Sequence, residues 1–470
     1  MAFNSLQYAA FLAAVVVAFW RLRHRRQNAF LVIVSYLFYG LWDWRFLALL
    51  MASTAIGYTS GIALDAASDE RRRRTILITR VALNLAMLAV FKYANFFVDS
   101  FVELAESVGL GVSAPTFQIL LPVAISYYTF EEISYAVDIY RRELEPCRDP
   151  VAYALFVAFF PKLVAGPILR PLELLPQITN PRRAPGPEQI RSALALIGWG
   201  LVKKVVIADS LARYVDEIYA TPSTMSGPAL IVGTLCFAGQ IYGDFSGYSD
   251  IARGSSRLLG FELPLNFRQP YLSNSLTAFW RTWHISLSTW LRDYLYIPLG
   301  GNQRGPRRTM LNLMTVMVLG GLWHGAGWTY LIWGAIHGTA LAAERWARRS
   351  RDNSQAMPTP AQIPAITITF SVVFLAWIFF RAPDLTTAGE IVGRILRWQS
   401  GEMVWGAALW AAAASCVFLF SDLYERRTQL ATTTPASRPR VLMGVLAGMS
   451  VAALLVTSGG DPVPFIYFQF

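Results

Sequence analysis

Apolar runs close to the ~20 residues that cross a ~30 Å hydrocarbon core recur from one end of the chain to the other, divided by short polar punctuation. Helical spans are predicted over 5–20, 75–98, 116–137, 362–380, 403–420 and 440–457, with a helical hairpin over 309–343. Pro161, Pro167, Pro171 and Pro176 interrupt 160–178 and predict a broken, re-entrant stretch. The total comes to about eleven or twelve transmembrane helices plus re-entrant segments. This is the pattern of an all-α, polytopic membrane protein in which 1–470 forms a single membrane domain.

The polar punctuation orients these spans. Basic residues concentrate in R-L-R-H-R-R at 21–26, D-E-R-R-R-R at 69–74 and R-R-E-L-E-P-C-R at 141–148, which predicts a cytoplasmic side for all three. The W-D-W-R turn at 42–45 then lies outside. Because the first basic cluster follows the apolar run 5–20, that run reads as a retained span, not a secretory leader. Q-R-G-P-R-R at 303–308 and E-R-W-A-R-R-S-R at 344–351 flank the hairpin, so both of its ends are cytoplasmic and its tip lies deep. Y-E-R-R and S-R-P-R separate the last two spans, leaving D-P-V-P-F-I-Y-F-Q-F at 461–470 on the outer side. A bacterial inner membrane suits this arrangement, with both termini periplasmic.

Composition agrees with the pattern. The chain is 54% hydrophobic and 15% charged, against roughly 45–50% and 25% in soluble domains, and its mean hydropathy is +0.40. The net charge of +11 sits in short loops, not along a face with stacking aromatics, so it reads as topology and not as nucleic-acid binding. Cys147, Cys236 and Cys416 have no paired spacing and read as ordinary small residues. No internal repeat supports an inverted-repeat transporter.

Candidate chemistry is concentrated in two of the four histidines. His24 lies in a basic loop and His337 in mid-helix, whereas His284 sits in W-R-T-W-H-I-S-L-S-T-W and His324 in G-G-L-W-H-G-A-G-W. At ~1.5 Å per helical residue from Thr309, His324 lies about 20 Å into the membrane. Gly320, Gly321, Gly325 and Gly327 are expected to break the helix around it and to leave His324 facing a cavity. A neutral imidazole so placed can take a proton from a hydroxyl, which is worth ~100- to 10,000-fold in rate. The bland alternative is a histidine bonded to a neighbouring carbonyl. His284 either takes part in chemistry or substrate positioning, or orients the loop near His324.

Asp244 and Asp250 in Q-I-Y-G-D-F-S-G-Y-S-D are intramembrane carboxylates, expected to pair with Arg253, Arg257, Arg281 or Arg292. Arg281, Arg292 and Asn302 are read with them as cavity-lining or structural polar residues. The separations between the histidines match no metal-ligand pattern, so no metal is expected. Ser286 and Ser288 lie outside any G-x-S-x-G elbow, which argues against a serine hydrolase.

The run F-W-R-T-W-H-I-S-L-S-T-W-L-R-D-Y-L-Y-I-P-L-G-G-N at 279–302, followed by L-G-G-L-W-H-G-A-G-W, resembles the membrane-bound O-acyltransferases (MBOAT). The likeness is strongest to the bacterial branch of alginate O-acetylation proteins and teichoic acid D-alanyl exporters. It extends through F-F-P-K-L-V-A-G-P-I, D-F-S-G-Y-S-D and F-I-Y-F-Q-F. The resemblance implies a fold with cytoplasmic and periplasmic funnels meeting at His324, with His284 as the second motif histidine. It also implies an acyl thioester donor such as acetyl-CoA, no bound cofactor, and O-acetylation of an extracellular or periplasmic polysaccharide of the alginate type. The implied partner is a periplasmic SGNH-type acetyltransferase or another polysaccharide-modifying protein, alongside membrane lipid and without nucleic acid. By analogy with the Tyr-x-x-Phe tails of small partners in the teichoic acid system, Tyr467 is a candidate acyl relay; an interfacial aromatic anchor is the alternative. Lys162 stands where the family pattern suggests an uncharged polar residue. Two competing functions are a proton-coupled transporter or flippase for a cell-envelope polymer component, and a non-catalytic membrane scaffold.

Overall fold

The computed structural model describes residues 2–111, 119–164, 166–347, 358–428 and 465–466. Its regular structure is helical, with an isolated bridge between Met225 and Glu402. The expected span at 440–457 and residue Tyr467 lie outside the described residues. The chain forms two compact units, one built from Ala10–Ala184 and Leu259–Phe261, the other from Ala2–Ala9, Pro185–Leu258 and Glu262–Phe470.

The first unit takes most of α1 (Leu6–Trp20) and then α2 (His24–Gly40), α3 (Trp44–Ala66), α4 (Glu70–Leu88), α5 (Ala94–Ser107), α6 (Ile125–Tyr140), α7 (Pro150–Ala158), α8 (Phe160–Leu163) and α9 (Pro171–Thr179). Short polar residues set several starts: Asp43, Asp69 and Asp149 accept from the backbone N–H groups of Arg45, Arg72 and Val151 at 2.9, 3.1 and 2.9 Å. Pro150 and Pro171 stand at first positions, where a missing N–H is harmless. The basic cluster at 69–74 is not a loop, because Asp69 caps it into the first turns of α4. Arg73 there turns inward to donate to the carbonyls of Leu64 and Ile139 at 2.7 and 3.0 Å.

The prolines do break 160–178, into α8 and α9. The buried Lys162 on α8 is matched by Glu131 on α6, an ion pair whose carboxylate also accepts from the N–H of Leu169 at 3.1 Å. The adjacent Glu132 pairs with Arg80 of α4 and accepts from Ser53 of α3 at 2.6 Å. A lysine at this depth is tolerated because its partner is built in. Removing one member of a buried pair leaves an uncompensated charge and costs ~3–5 kcal/mol. Lys162→Gln alone is therefore expected to lower thermal stability sharply, and Lys162→Gln with Glu131→Gln to recover most of it. Size-exclusion profiles after heating check this; equal profiles for single and double variants would contradict it.

The second unit holds the start of α1 and then α10 (Pro187–Leu201), a π-helical segment over Val202–Ala208, α11 (Asp209–Ala220) and the 32-residue α12 (Gly227–Leu258). It continues with α13 (Leu276–Thr282), α14 (Ile285–Leu291), α15 (Pro306–His324), α16 (Trp328–Trp346), α17 (Ile363–Arg381), α18 (Leu385–Leu396) and α19 (Trp405–Thr428). α12 is the hub, packed by α10, α11, α17, α18 and α19, while α15 and α16 form the expected hairpin. Gly320 and Gly321 do not break α15, which stays helical to His324. The absent side chain of Gly321 serves close approach instead: a Cβ there would stand 2.2 Å from the Tyr330 carbonyl oxygen, and one on Gly334 2.4 Å from that of Met317. The turn itself falls at Gly325–Gly327.

Four described helical stretches are long and apolar enough to cross a membrane unaided: Trp44–Ala66, Glu70–Ser107, Pro360–Arg381 and Trp405–Arg427. Leu6–Trp20 and Pro150–Leu163 are shorter apolar helices. α6 and α12 are otherwise composed, because they carry buried carboxylates against neighbouring helices.

Candidate active site

α15 ends on His324 and α16 starts at Trp328, so the hairpin tip delivers the imidazole at a helix end. His324 is 3% exposed, and its ring lies among Trp323, Trp333 and Phe380 at 5.0, 5.0 and 5.2 Å between centroids. Bulky rings of α15, α16 and α17 pack around it. His284 is fully buried, and its ring centroid stands 6.5 Å from that of His324. Phe245 of α12 meets His284 edge-on at 4.6 Å. The two sequence candidates, 39 residues of chain between them, are thus brought together in one unit.

His284 is held in an unusual backbone state. It caps α14 with φ +42 and ψ +56, the left-handed region that non-glycine residues seldom occupy. Such conformations cost ~1–3 kcal/mol and persist only where surroundings over-determine them. Asn266 supplies that constraint: its side-chain oxygen accepts from the Ser286 N–H at 3.1 Å and the Ser286 hydroxyl at 2.9 Å, and its carbonyl accepts from the Ile285 N–H at 2.9 Å. Neither ring nitrogen of His284 has a hydrogen-bond partner among the described residues. Buried polar atoms are seldom left unsatisfied, which marks this ring as a candidate site residue. Asn266 escaped the sequence reading because nothing local marks it.

His337, read from sequence as a mid-helix residue, also belongs to the cluster. It is fully buried on α16, stacked 6.1 Å from Phe279 and 4.8 and 5.1 Å from Trp333 and Trp280, again with no partner for either nitrogen among the described residues. Its place nine and thirteen residues after the motif tryptophan Trp328 and His324 was the available signal.

A cavity of about 520 Å³ lies beside these rings. Arg281, Arg292, Arg345, Asn302, Ser288 and Thr289 supply its polar lining, with Trp280 and Ile285 on its wall. His324 is not among its lining residues, but the wall leads to it: Trp280 contacts Trp333 at 5.7 Å, and Trp333 contacts His324. Arg281, Arg292 and Asn302 line this one cavity together. Arg292 also pairs with Asp293 at 2.5 Å.

Asp244 and Asp250 lie on α12 away from that cavity's lining. Asp250 pairs with Arg253 at 3.5 Å, as expected, and with Lys203 at 2.5 Å. Asp244 pairs with none of the expected arginines; its partner is Lys204 at 2.9 Å, which also holds Asp209 at 2.7 Å. The π-helical widening at Val202–Ala208 sets both lysines towards α12. The Lys203–Lys204 pair inside an apolar run was the overlooked signal. The second carboxylate oxygen of Asp244 accepts from the N–H of Ile466 at 2.6 Å. Tyr467 follows directly and lies outside the described residues.

Residues 148–381 match the sequence model of MBOAT, the membrane-bound O-acyltransferase family. The chain is 37% identical over 494 residues to "Probable alginate O-acetylase AlgI" of Pseudomonas putida, covering 100% of both proteins. It is 36% identical over 388 residues to the "Peptidoglycan O-acetyltransferase" of Helicobacter pylori, covering 77% of this chain and 72% of the relative. Against the "Teichoic acid D-alanyltransferase" of Streptococcus thermophilus it is 27% identical over 289 residues, covering 55% of this chain and 68% of the relative.

Proposed function

This chain belongs to the membrane-bound O-acyltransferase family and is a membrane O-acetyltransferase, and from that membership we propose that His324 is the base that moves an acyl group from a cytoplasmic thioester to a hydroxyl on the opposite side. The observation that carries this reading is the buried His284–His324 pair, 6.5 Å apart at the hairpin tip beside a cavity lined by three arginines. His324 takes the proton of the attacking hydroxyl; the oxygen forms its bond to the thioester carbonyl carbon, the C–S bond breaks, and the thiolate leaves with that proton. The products are an ester and a free thiol. His284, with both nitrogens unengaged by described residues, positions the thioester or the acceptor.

The donor is a nucleotide-bearing thioester, acetyl-CoA. Arg281, Arg292 and Arg345 match its phosphates in charge, and bidentate guanidinium pairing suits phosphate geometry. Hydrogen bonds to charged groups contribute ~1.5–3 kcal/mol, so Arg281→Ala or Arg345→Ala is expected to raise the donor KM roughly 10- to 100-fold with little change in kcat. Release of free thiol from acetyl-CoA by the purified protein measures this; an unchanged KM in both variants would remove the cavity as donor site.

The acceptor path ends in a polysaccharide of the alginate type outside the cytoplasm, served by a periplasmic SGNH-type partner. The names of the relatives support a cell-envelope polymer as acceptor. The protein works as one membrane domain in a bacterial inner membrane with both termini periplasmic, which the alternating basic loops support. Tyr467 carries the acyl group between His324 and that partner, with Asp250 and its bases as structural support.

A further inference from the structure

We propose that Asp244, fixed by Lys204, is a latch that seats the Phe465–Ile466 segment against α12 beside His284, and that acyl transfer requires the segment to be seated. The inference rests on the reading of 461–470 as part of the acceptor path. Three observations carry it. The backbone N–H of Ile466 donates to Asp244 at 2.6 Å, a contact to a charged acceptor between two buried residues. Phe465 and Ile466 are themselves buried, at 0% and 2% exposure. The Phe465 ring lies 4.4 Å from Tyr248 and 5.7 Å from Phe245, and Phe245 is the residue whose ring edge meets His284.

The chemistry of the latch fits its task. A main-chain N–H is recognised whatever the side chain, so Asp244 fixes the position of the backbone and the ring of Phe465 fixes its register. Lys204 keeps the carboxylate oriented, and Asp209 keeps Lys204 in turn. A free carboxylate buried on α12 would otherwise be expensive. Asp244 is thus a positioning residue: it acts through the segment it holds and not on the thioester.

The test uses the full-length protein in membranes with p-benzoylphenylalanine in place of Phe465. Irradiation is expected to cross-link position 465 to α12 around Tyr248, read by mass spectrometry. Ile466→Pro removes the one N–H that Asp244 accepts and leaves the buried ions untouched. It is expected to lower the cross-link at least 5-fold and, in the parental Phe465 background, polymer O-acetylation at least 10-fold. Asp244→Ala is expected to do the same, while Asp244→Asn, which keeps an acceptor oxygen, restores most of both; a merely structural role for the charge would not show that rescue. Undiminished acetylation in Ile466→Pro, with the cross-link kept or lost, overturns the latch. Loss in Ile466→Pro with full activity in Tyr467→Phe keeps the latch and removes Tyr467 as carrier; the reverse pattern keeps the carrier and removes the latch.

Discussion

Replacing His324 by alanine is expected to lower O-acetyl transfer by about 100- to 10,000-fold while the protein remains folded, the range that a positioned general base contributes. That loss corresponds to roughly 3–5 kcal/mol of transition-state stabilisation. The size follows from the setting. His324 closes α15 among Trp323, Trp333 and Phe380, which fix the imidazole in place. Truncation also leaves a void among those rings, and His324→Gln, which conserves more volume, separates lost chemistry from lost packing. His324→Gln should match the parent in membrane abundance and thermal profile, His324→Ala should melt somewhat lower, and both should fail in transfer. A scaffold for other enzymes would tolerate either change, and near-parental polymer acetylation in both would strike His324 from the mechanism.

The second large effect is expected at Tyr467. Tyr467→Phe keeps the aromatic ring and deletes only the hydroxyl that would carry the acyl group, so polymer acetylation should fall to background while thiol release from the donor persists at reduced rate. The neighbouring geometry motivates this: the chain is held at Ile466, one residue earlier, by Asp244, and Phe465 lies against Phe245 beside His284. An aromatic anchor at the interface would be indifferent to the hydroxyl. Quantifying ester-linked acetate on the polymer decides between the two, and undiminished acetylation ends the relay.

What could be read from sequence was whatever is written locally. Basic residues at both ends of 309–343 gave the α15–α16 hairpin and put His324 at its tip, and two short tryptophan-histidine motifs gave the catalytic candidates. The prolines at 161–176 gave the broken segment. Pairings across the fold were illegible, because a buried charge constrains its partner's chemistry and not its position in sequence. Asp244 found Lys204 forty residues upstream instead of an arginine nearby, and Lys162 found Glu131. Asn266, which fixes the left-handed turn at His284, is an ordinary residue in an unremarkable loop. Gly321 was misjudged for a related reason: glycine at depth can open a helix or let two helices touch, and only the facing α16 decides which.

The most direct test of transfer through the membrane at His324 is a sided assay in sealed vesicles. Labelled acetyl-CoA is supplied only on the face that bears the basic loops, and label is measured as ester on acceptor enclosed on the other face. Label is expected to appear across the membrane with the parent protein and to stay at background with His324→Gln, the CoA moiety remaining on the side of supply in both. Transfer of label by His324→Gln at the parental rate would contradict this.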